Sequence, residues 1–148
     1  MGSSVRLSVI IPLYNKEDSI VRTIKSVLSQ SYTNFELIVV DDGSIDRGRE
    51  VIQRQISDCR LRIVGQSNKG VSAARNAGIS LASAEHILFL DADDQLEEDA
   101  LCIFDRLITS YPDASVYTTN FHVSYDGLSA RRPYCRGKIE GVVNNSFK

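Results

Sequence analysis

Leu7 to Leu13 reads L-S-V-I-I-P-L, a nearly unbroken apolar run rich in β-branched residues. Such a run predicts a strand covered on both faces. Pro12 has no N–H for a ladder, so the strand is expected to end about there. The period then changes. Ile20, Ile24, Val27 and Leu28 recur at helical spacing, with Asn15 read as the N-cap and Glu17 and Asp18 as acids near the positive end. Phe35 to Val40 is a second buried strand, stopped by Asp41-Asp42-Gly43-Ser44. A helix at about Arg47 to Ile56 and a strand at Leu61 to Val64 follow. Val71 to Ala82 is a helix of small residues, able to lie tight on a sheet, and His86 to Leu90 is a fourth strand. A helix from about Glu97 to Ser110 and a fifth strand at Ser115 to Asn120 complete the pattern.

Strands alternating with helices predict an α/β fold, three layers with a mostly parallel central sheet. Right-handed crossovers place helices on both faces, and ligands then bind at the carboxyl ends of the strands. If strands 1 to 3 wind one way and strand 4 pairs on the other side of strand 1, a crevice opens between the tips of 1 and 4.

Composition narrows the function classes. The 148 residues are 43% apolar and 24% charged, which fits one soluble globular domain. Seventeen Lys and Arg against nineteen Asp and Glu give a net charge of −2, which argues against a non-specific nucleic-acid binder. Cys59, Cys102 and Cys135 form no C-x-x-C pair, so neither a zinc knuckle nor a redox motif is offered; they read as reduced thiols of a cytoplasmic protein. No apolar run reaches the roughly 18 residues of a membrane span.

The chemistry gathers at the strand tips, in Pro12-Leu13-Tyr14-Asn15, Asp41-Asp42 and Asp91-Ala92-Asp93-Asp94. Two carboxylates about 6 Å apart cost on the order of 3 kcal/mol at an effective dielectric near 20. Three in one short loop call for a cation or a raised pKa. Hard oxygen donors suit Mg²⁺ or Mn²⁺, which bind through one or two carboxylates plus substrate phosphates. The loop after strand 1 has no glycine, so no dinucleotide fingerprint is present. Gly65-Gln66-Ser67-Asn68-Lys69-Gly70 approaches a phosphate loop, but Val71 stands where that loop needs its Lys.

Other readings stay open at several of these positions. Asp41-Asp42-Gly43-Ser44 is also an ordinary turn, and Tyr14 is either core or site. Glu97, Glu98 and Asp99 read as helix-dipole acids, and His86 and His122 as bystanders. A solvated acidic face accounts for part of the acidic excess between Asp91 and Asp113, but not for the three acids of Asp91–Asp94.

Taken in order, these residues resemble family 2 glycosyltransferases of the GT-A fold, which transfer a sugar from a nucleotide-sugar. The matching pieces are V-I-I-P-L-Y-N (Val9–Asn15), S-V-L-S-Q-S-Y (Ser26–Tyr32), F-E-L-I-V-V-D-D-G-S-I-D (Phe35–Asp46), N-K-G-V-S-A-A-R-N-A-G (Asn68–Gly78) and L-F-L-D-A-D-D (Leu88–Asp94). The resemblance implies a nucleotide-sugar-binding domain over residues 5–125 and the start of an acceptor-side region over 126–148. It implies that Pro12 and Tyr14 hold the donor's base, that Asp42 accepts a hydrogen bond from a base imide, typically uracil, and that Glu17 lies at the pocket's edge. Arg75 would contact base or phosphate, or form a surface salt bridge. Asp91-Ala92-Asp93 matches the D-x-D signature: Asp91 toward the ribose or a metal-bound water, Asp93 on Mn²⁺ or Mg²⁺, and Asp94 as an extension of the metal-binding cluster.

The implied activity is inverting, metal-assisted transfer from a UDP-sugar to a saccharide or glycolipid acceptor, in polysaccharide or glycoconjugate biosynthesis of the cell envelope. It would take place in the cytoplasm or at the cytoplasmic face of the membrane. The family's general base lies well downstream of D-x-D, so it is expected beyond Lys148, in a longer enzyme of which this is the N-terminal portion. Asp126 and Glu140 sit in no matching motif, and Arg131, Arg132, Arg136 and Lys138 around Tyr134 read as a solvated loop or a phosphate contact. Two rivals remain: a nucleotide-sugar-binding module without turnover, and a haloacid-dehalogenase-like phosphatase with Asp91 as nucleophile.

Overall fold

The computed structural model describes residues 5–118 and the strand segments 122–125 and 128–131. The chain divides into two compact units, Met1–Leu101 and Cys102–Lys148. In the first, β1 (Leu7–Leu13), β2 (Phe35–Asp41), β3 (Leu61–Gly65) and β4 (His86–Phe89) form one parallel sheet in the order β3-β2-β1-β4. The connecting helices are α1 (Ile20–Leu28), α2 (Gly48–Gln55) and α3 (Val71–Leu81). The order reverses at β1, which puts the expected crevice between β1 and β4.

Every residue of β1 is buried, as its sequence requires. Alternation splits the strand between two faces. Ile10 joins Ile38, Val40 and Ala74 in a cluster against which Val64, Ala77, Leu81 and Ile87 pack, so α3 covers this face. Gly78 of α3 sits directly over the Ile10 side chain, where a Cβ would overlap it. Leu13, of opposite parity, meets Gly48 of α2, and α2 packs beside α1. Ile20, Ile24 and Val27 supply α1's buried apolar stripe.

β1 ends about where Pro12 predicts, though not at Pro12 itself. It runs on to Leu13, paired with β2 through Leu13 opposite Asp41. Its pairing with β4 stops earlier, at Ile10 opposite Phe89. The Ile10 carbonyl accepts from Leu90 N at 3.1 Å, on the β4 side. Pro12, two residues on, faces that same side beyond the end of β4, so its missing N–H breaks no ladder bond.

Asn15 is likewise not the α1 cap. It stands in the left-handed region (φ 50°), which Asn tolerates. Its Oδ1 accepts from Ile45 N at 2.9 Å, and its own N–H donates to Ser44 Oγ at 3.1 Å. With Asn15 bound to the loop after β2, the helix starts later, with Ser19 at its cap position.

In the second unit, α4 (Ala100–Ser110, beginning at the end of the first) is followed by irregular backbone through 118. The expected strand at Ser115–Asn120 is absent over 115–118; 119 and 120 lie outside the described residues. The Tyr117 hydroxyl donates to the Tyr111 carbonyl at 2.8 Å, turning this stretch back on the end of α4. Extended structure resumes as an antiparallel pair of strands, β5 (His122–Tyr125) and β6 (Leu128–Arg131). Cys135, Tyr134, Asp126, Arg132, Arg136, Lys138 and Glu140 lie outside the described residues. Among those described, no helix is long and apolar enough to cross a membrane.

Candidate functional site

A cleft of about 540 Å³ opens at the carboxyl ends of the strands. Six of the residues singled out from sequence line it: Pro12, Tyr14, Asp42, Arg75, Asp91 and Asp93. Tyr14 is 46% exposed, so it is a wall of the cleft and not a core residue. Sequence reasoning missed Lys16, Asn68, Gly70 and Val71, which also line it. A lone lysine in a loop reads as a surface charge, and only the fold brings it to the acids.

Asp91 and Asp93 leave β4 on a turn in which Asp94 N donates to the Asp91 carbonyl at 3.0 Å. Both forms of relief expected for crowded carboxylates are present. Lys16 Nζ lies 2.7 Å from Asp93 Oδ2, and Arg75 Nη2 lies 2.8 Å from Asp91 Oδ1. The hydrogen bond and charge of Lys16 hold Asp93 below the usual carboxylate range, and the same contact raises the lysine. The Asp94 carboxyl moves up, through partial desolvation and then the charges of Asp93 and Asp91. Arg75 also lies over the Phe89 ring, 5.7 Å from its centroid, while its Nε is buried without a hydrogen-bond partner.

Asp42 is 3% exposed and held by the loop after β3. Gln66 Nε2 and Lys69 N donate to Oδ1 at 2.7 and 2.9 Å, and Gly70 N donates to Oδ2 at 2.8 Å. Burial raises this carboxyl, but the three hydrogen bonds and the Lys69 charge outweigh it and lower the pKa. The segment that approached a phosphate loop therefore cradles the protein's own anion, at the positive end of α3. Gly43 (φ 72°) lets the backbone of Asn68 come close; a Cβ there would stand 2.8 Å from Asn68 N. Asp41 makes the ordinary turn, its Oδ1 accepting from Ser44 N at 2.9 Å. The D-D-G-S segment is thus both the turn and the site, one carboxylate for each.

Glu17 is not among the lining residues. Its carboxylate accepts from Arg47 N at 2.8 Å and its own N–H donates to Asp46 Oδ2 at 2.9 Å, which ties two loops together. Asp94 is also absent from the lining. His86 opens β4 opposite Leu7, at the far end of the sheet from the cleft.

Among the described residues, no three His, Cys, Asp or Glu side chains converge as a metal-ligand set. Asp91 and Asp93 both line one cleft and could supply two hard donors to an ion that takes its remaining ligands from phosphate and water. The residues present fit Mn²⁺ or Mg²⁺ on those terms, provided that Lys16 yields Asp93.

The chain as a whole is similar to several named proteins. The chain is 38% identical over 124 residues to chondroitin synthase of Escherichia coli, covering 82% of this chain and 18% of that protein. The S. aureus TarS 1-349 structure in complex with UDP-GlcNAc superposes with a TM-score of 0.68 at 29% identity, over 72% of this chain and 32% of TarS 1-349. A mannosyltransferase from Pyrobaculum calidifontis, in complex with GDP-Man and Mn²⁺, gives 0.58 at 28% identity, over 61% of this chain and 28% of its own. This chain spans between 17% and 23% of the length of several curated relatives that it matches. The sheet, helices and crevice are those of the GT-A fold, and D-x-D follows the fourth strand, which removes the phosphatase reading. The model of the family described as Glycosyl transferase family 2 matches residues 8–146, and the chain belongs to that family.

Proposed function

We propose that this domain binds a nucleotide-diphospho-sugar, a UDP-sugar by preference, and serves inverting, metal-assisted transfer of the sugar to a hydroxyl of a saccharide or glycolipid acceptor. The observation that carries this reading is the convergence of Tyr14, Asp42, Arg75, Asp91 and Asp93 on one cleft at the switch point of the sheet. The UDP-GlcNAc complex of TarS supports the donor class, and the Mn²⁺ complex of the mannosyltransferase supports the metal. The likeness to chondroitin synthase supports a polysaccharide or glycoconjugate product. The reading places the domain in the cytoplasm or at the cytoplasmic face of a membrane.

Each side chain has a task in this reading. Tyr14 offers an exposed ring face to the base. Asp42 has three of its roughly four acceptor positions filled by the protein, leaving one for the imide N–H of uracil. Its larger work is to hold the loop that forms one wall. Lys16 and Arg75, which only donate, exchange Asp93 and Asp91 for the diphosphate oxygens. A divalent cation held by Asp93, with Asp91 beside it, would stabilise charge on the departing nucleoside diphosphate. The acceptor proton needs a separate base. In this reading Asp91 and Asp93 serve the cation and the donor and Asp42 serves its loop and the base, so that task falls to acceptor-binding residues outside this cleft.

The test is thermal stability with UDP, GDP, dTDP and CDP, each with and without Mn²⁺. A ligand at 100 times its dissociation constant adds about 2.7 kcal/mol. A joint UDP–Mn²⁺ shift larger than either alone supports the reading, and no shift with any pair removes it. Binding without donor hydrolysis or transfer would favour a binding module instead.

A further inference from the structure

From Leu90 to Asp99 the chain carries Asp91 and Asp93 yet has no helix or strand. Buried irregular backbone must find partners elsewhere. It finds them on α1 and its flanks. Ser19 Oγ and Thr23 Oγ1 both donate to the Ala92 carbonyl, at 2.9 and 3.0 Å, and all three residues are buried. Leu96 N donates to Ser26 Oγ at 3.0 Å, Gln30 Nε2 donates to the Glu97 carbonyl at 2.7 Å, and Leu101 N donates to Gln30 Oε1 at 3.1 Å. Positions 19, 23, 26 and 30 are spaced by four, three and four, one continuous line along a helix. The line is polar, and it is spent on the backbone of another segment.

We propose that Ser19 and Thr23 are positioning residues for the D-x-D turn: by gripping the carbonyl between Asp91 and Asp93, they set where both carboxylates stand relative to the cleft. This rests on the reading of Asp91 and Asp93 as metal- and donor-facing groups. The two hydroxyls converge on one oxygen from successive turns, so the carbonyl is fixed in direction as well as distance. Their effect on ligand is indirect, since neither lines the cleft. A pair of carboxylates that must share one cation is sensitive to sub-ångström displacement, and the residue between them is the place to control it.

Thr23→Val keeps the shape of the side chain and removes one donor; Thr23→Ser keeps the donor. UDP affinity is measured by calorimetry for each, in Mn²⁺ and in EDTA. Thr23→Val is expected to lose at least fivefold of the affinity in Mn²⁺, with UDP affinity in EDTA unchanged within twofold, and Thr23→Ser is expected to restore it. A uniform loss in both buffers, or no loss in Mn²⁺, overturns the proposal. Should Thr23→Val not fold, Ser19→Ala removes the other donor and is read the same way. If the parent chain shows no Mn²⁺-dependent UDP affinity, the functional reading falls, and amide exchange in the ligand-free chain decides the positioning role. Exchange at Asp94 at least tenfold faster in Thr23→Val than in the parent and in Thr23→Ser sustains the grip on the turn, and unchanged exchange overturns it.

Discussion

The Lys16 ammonium and the Asp93 carboxylate, 77 positions apart in sequence, stand 2.7 Å from each other across the cleft. The pair ties the loop after β1 to the turn after β4. In the proposed reading a cation competes with Lys16 for Asp93, and a diphosphate gives Lys16 somewhere to go. Lys16→Met is therefore expected to bind Mn²⁺ alone several-fold more tightly and UDP in Mn²⁺ less tightly. Calorimetric titration reads both, and weaker binding of Mn²⁺ alone would dissolve the link.

Asp93→Asn removes the carboxylate charge while keeping its shape. The pair with Lys16 is exposed on both sides, so the melting temperature should change little. The Mn²⁺-dependent part of UDP affinity should disappear. Parental metal dependence in this variant would take Asp93 out of the site.

Asp42→Ala strips the partner from three donors that face a buried carboxylate. Unfolding in urea should show a loss of about 2–4 kcal/mol, the cost of leaving such donors unsatisfied. UDP affinity should fall as well, because the loop from Gln66 to Gly70 loses its anchor. Full stability in this variant would mean that the loop holds itself.

Two glycines separate packing from backbone strain. Gly78→Ala drives a methyl group into Ile10 on the sheet and should cost about 1–3 kcal/mol through overpacking. Gly70→Ala meets open space but keeps φ 89° and ψ 160°, a conformation almost confined to glycine, so its cost is the conformational one alone, about 1–3 kcal/mol. Urea titrations of both variants give the comparison.

Acid stability follows from Asp58. Its hydrogen bonds with Arg60 bring the carboxyl down to about 2 from 3.8, and Arg60 also reaches the Leu28 carbonyl at 3.0 Å and lies over the Phe35 ring. Because the folded pKa is the lower one, this contribution is complete above pH 3.8 and is lost as pH falls toward 2. The pair keeps some contact with water, so its worth is about 1 kcal/mol. Asp58→Asn should lower the melting temperature at pH 7, and the difference from the parent should vanish near pH 2.

The buried strands were legible because two-sided burial writes a continuous apolar run, and the crevice followed from the order of elements. Asp42, Asp91 and Asp93 were legible as unneutralised charge at strand tips. Lys16 was not, since nothing local marks which lysine will face an acid far along the chain. The line of Ser19, Thr23, Ser26 and Gln30 was hidden for a related reason: hydroxyls and amides on a helix read as a face toward water until the partnering backbone is in place. Asn15 misled because its side chain had a stronger offer from the next loop than from its own helix.

Pro12 closes the account of the cleft from an unexpected side. Where β1 outruns β4, an ordinary residue would hold out an N–H toward the chain leaving Phe89, and a parallel ladder could zip on by one more rung. Proline withholds that proton. The turn bearing Asp91 and Asp93 leaves the sheet at the point where β1 has no proton to offer it, and the opening between the two strands begins there.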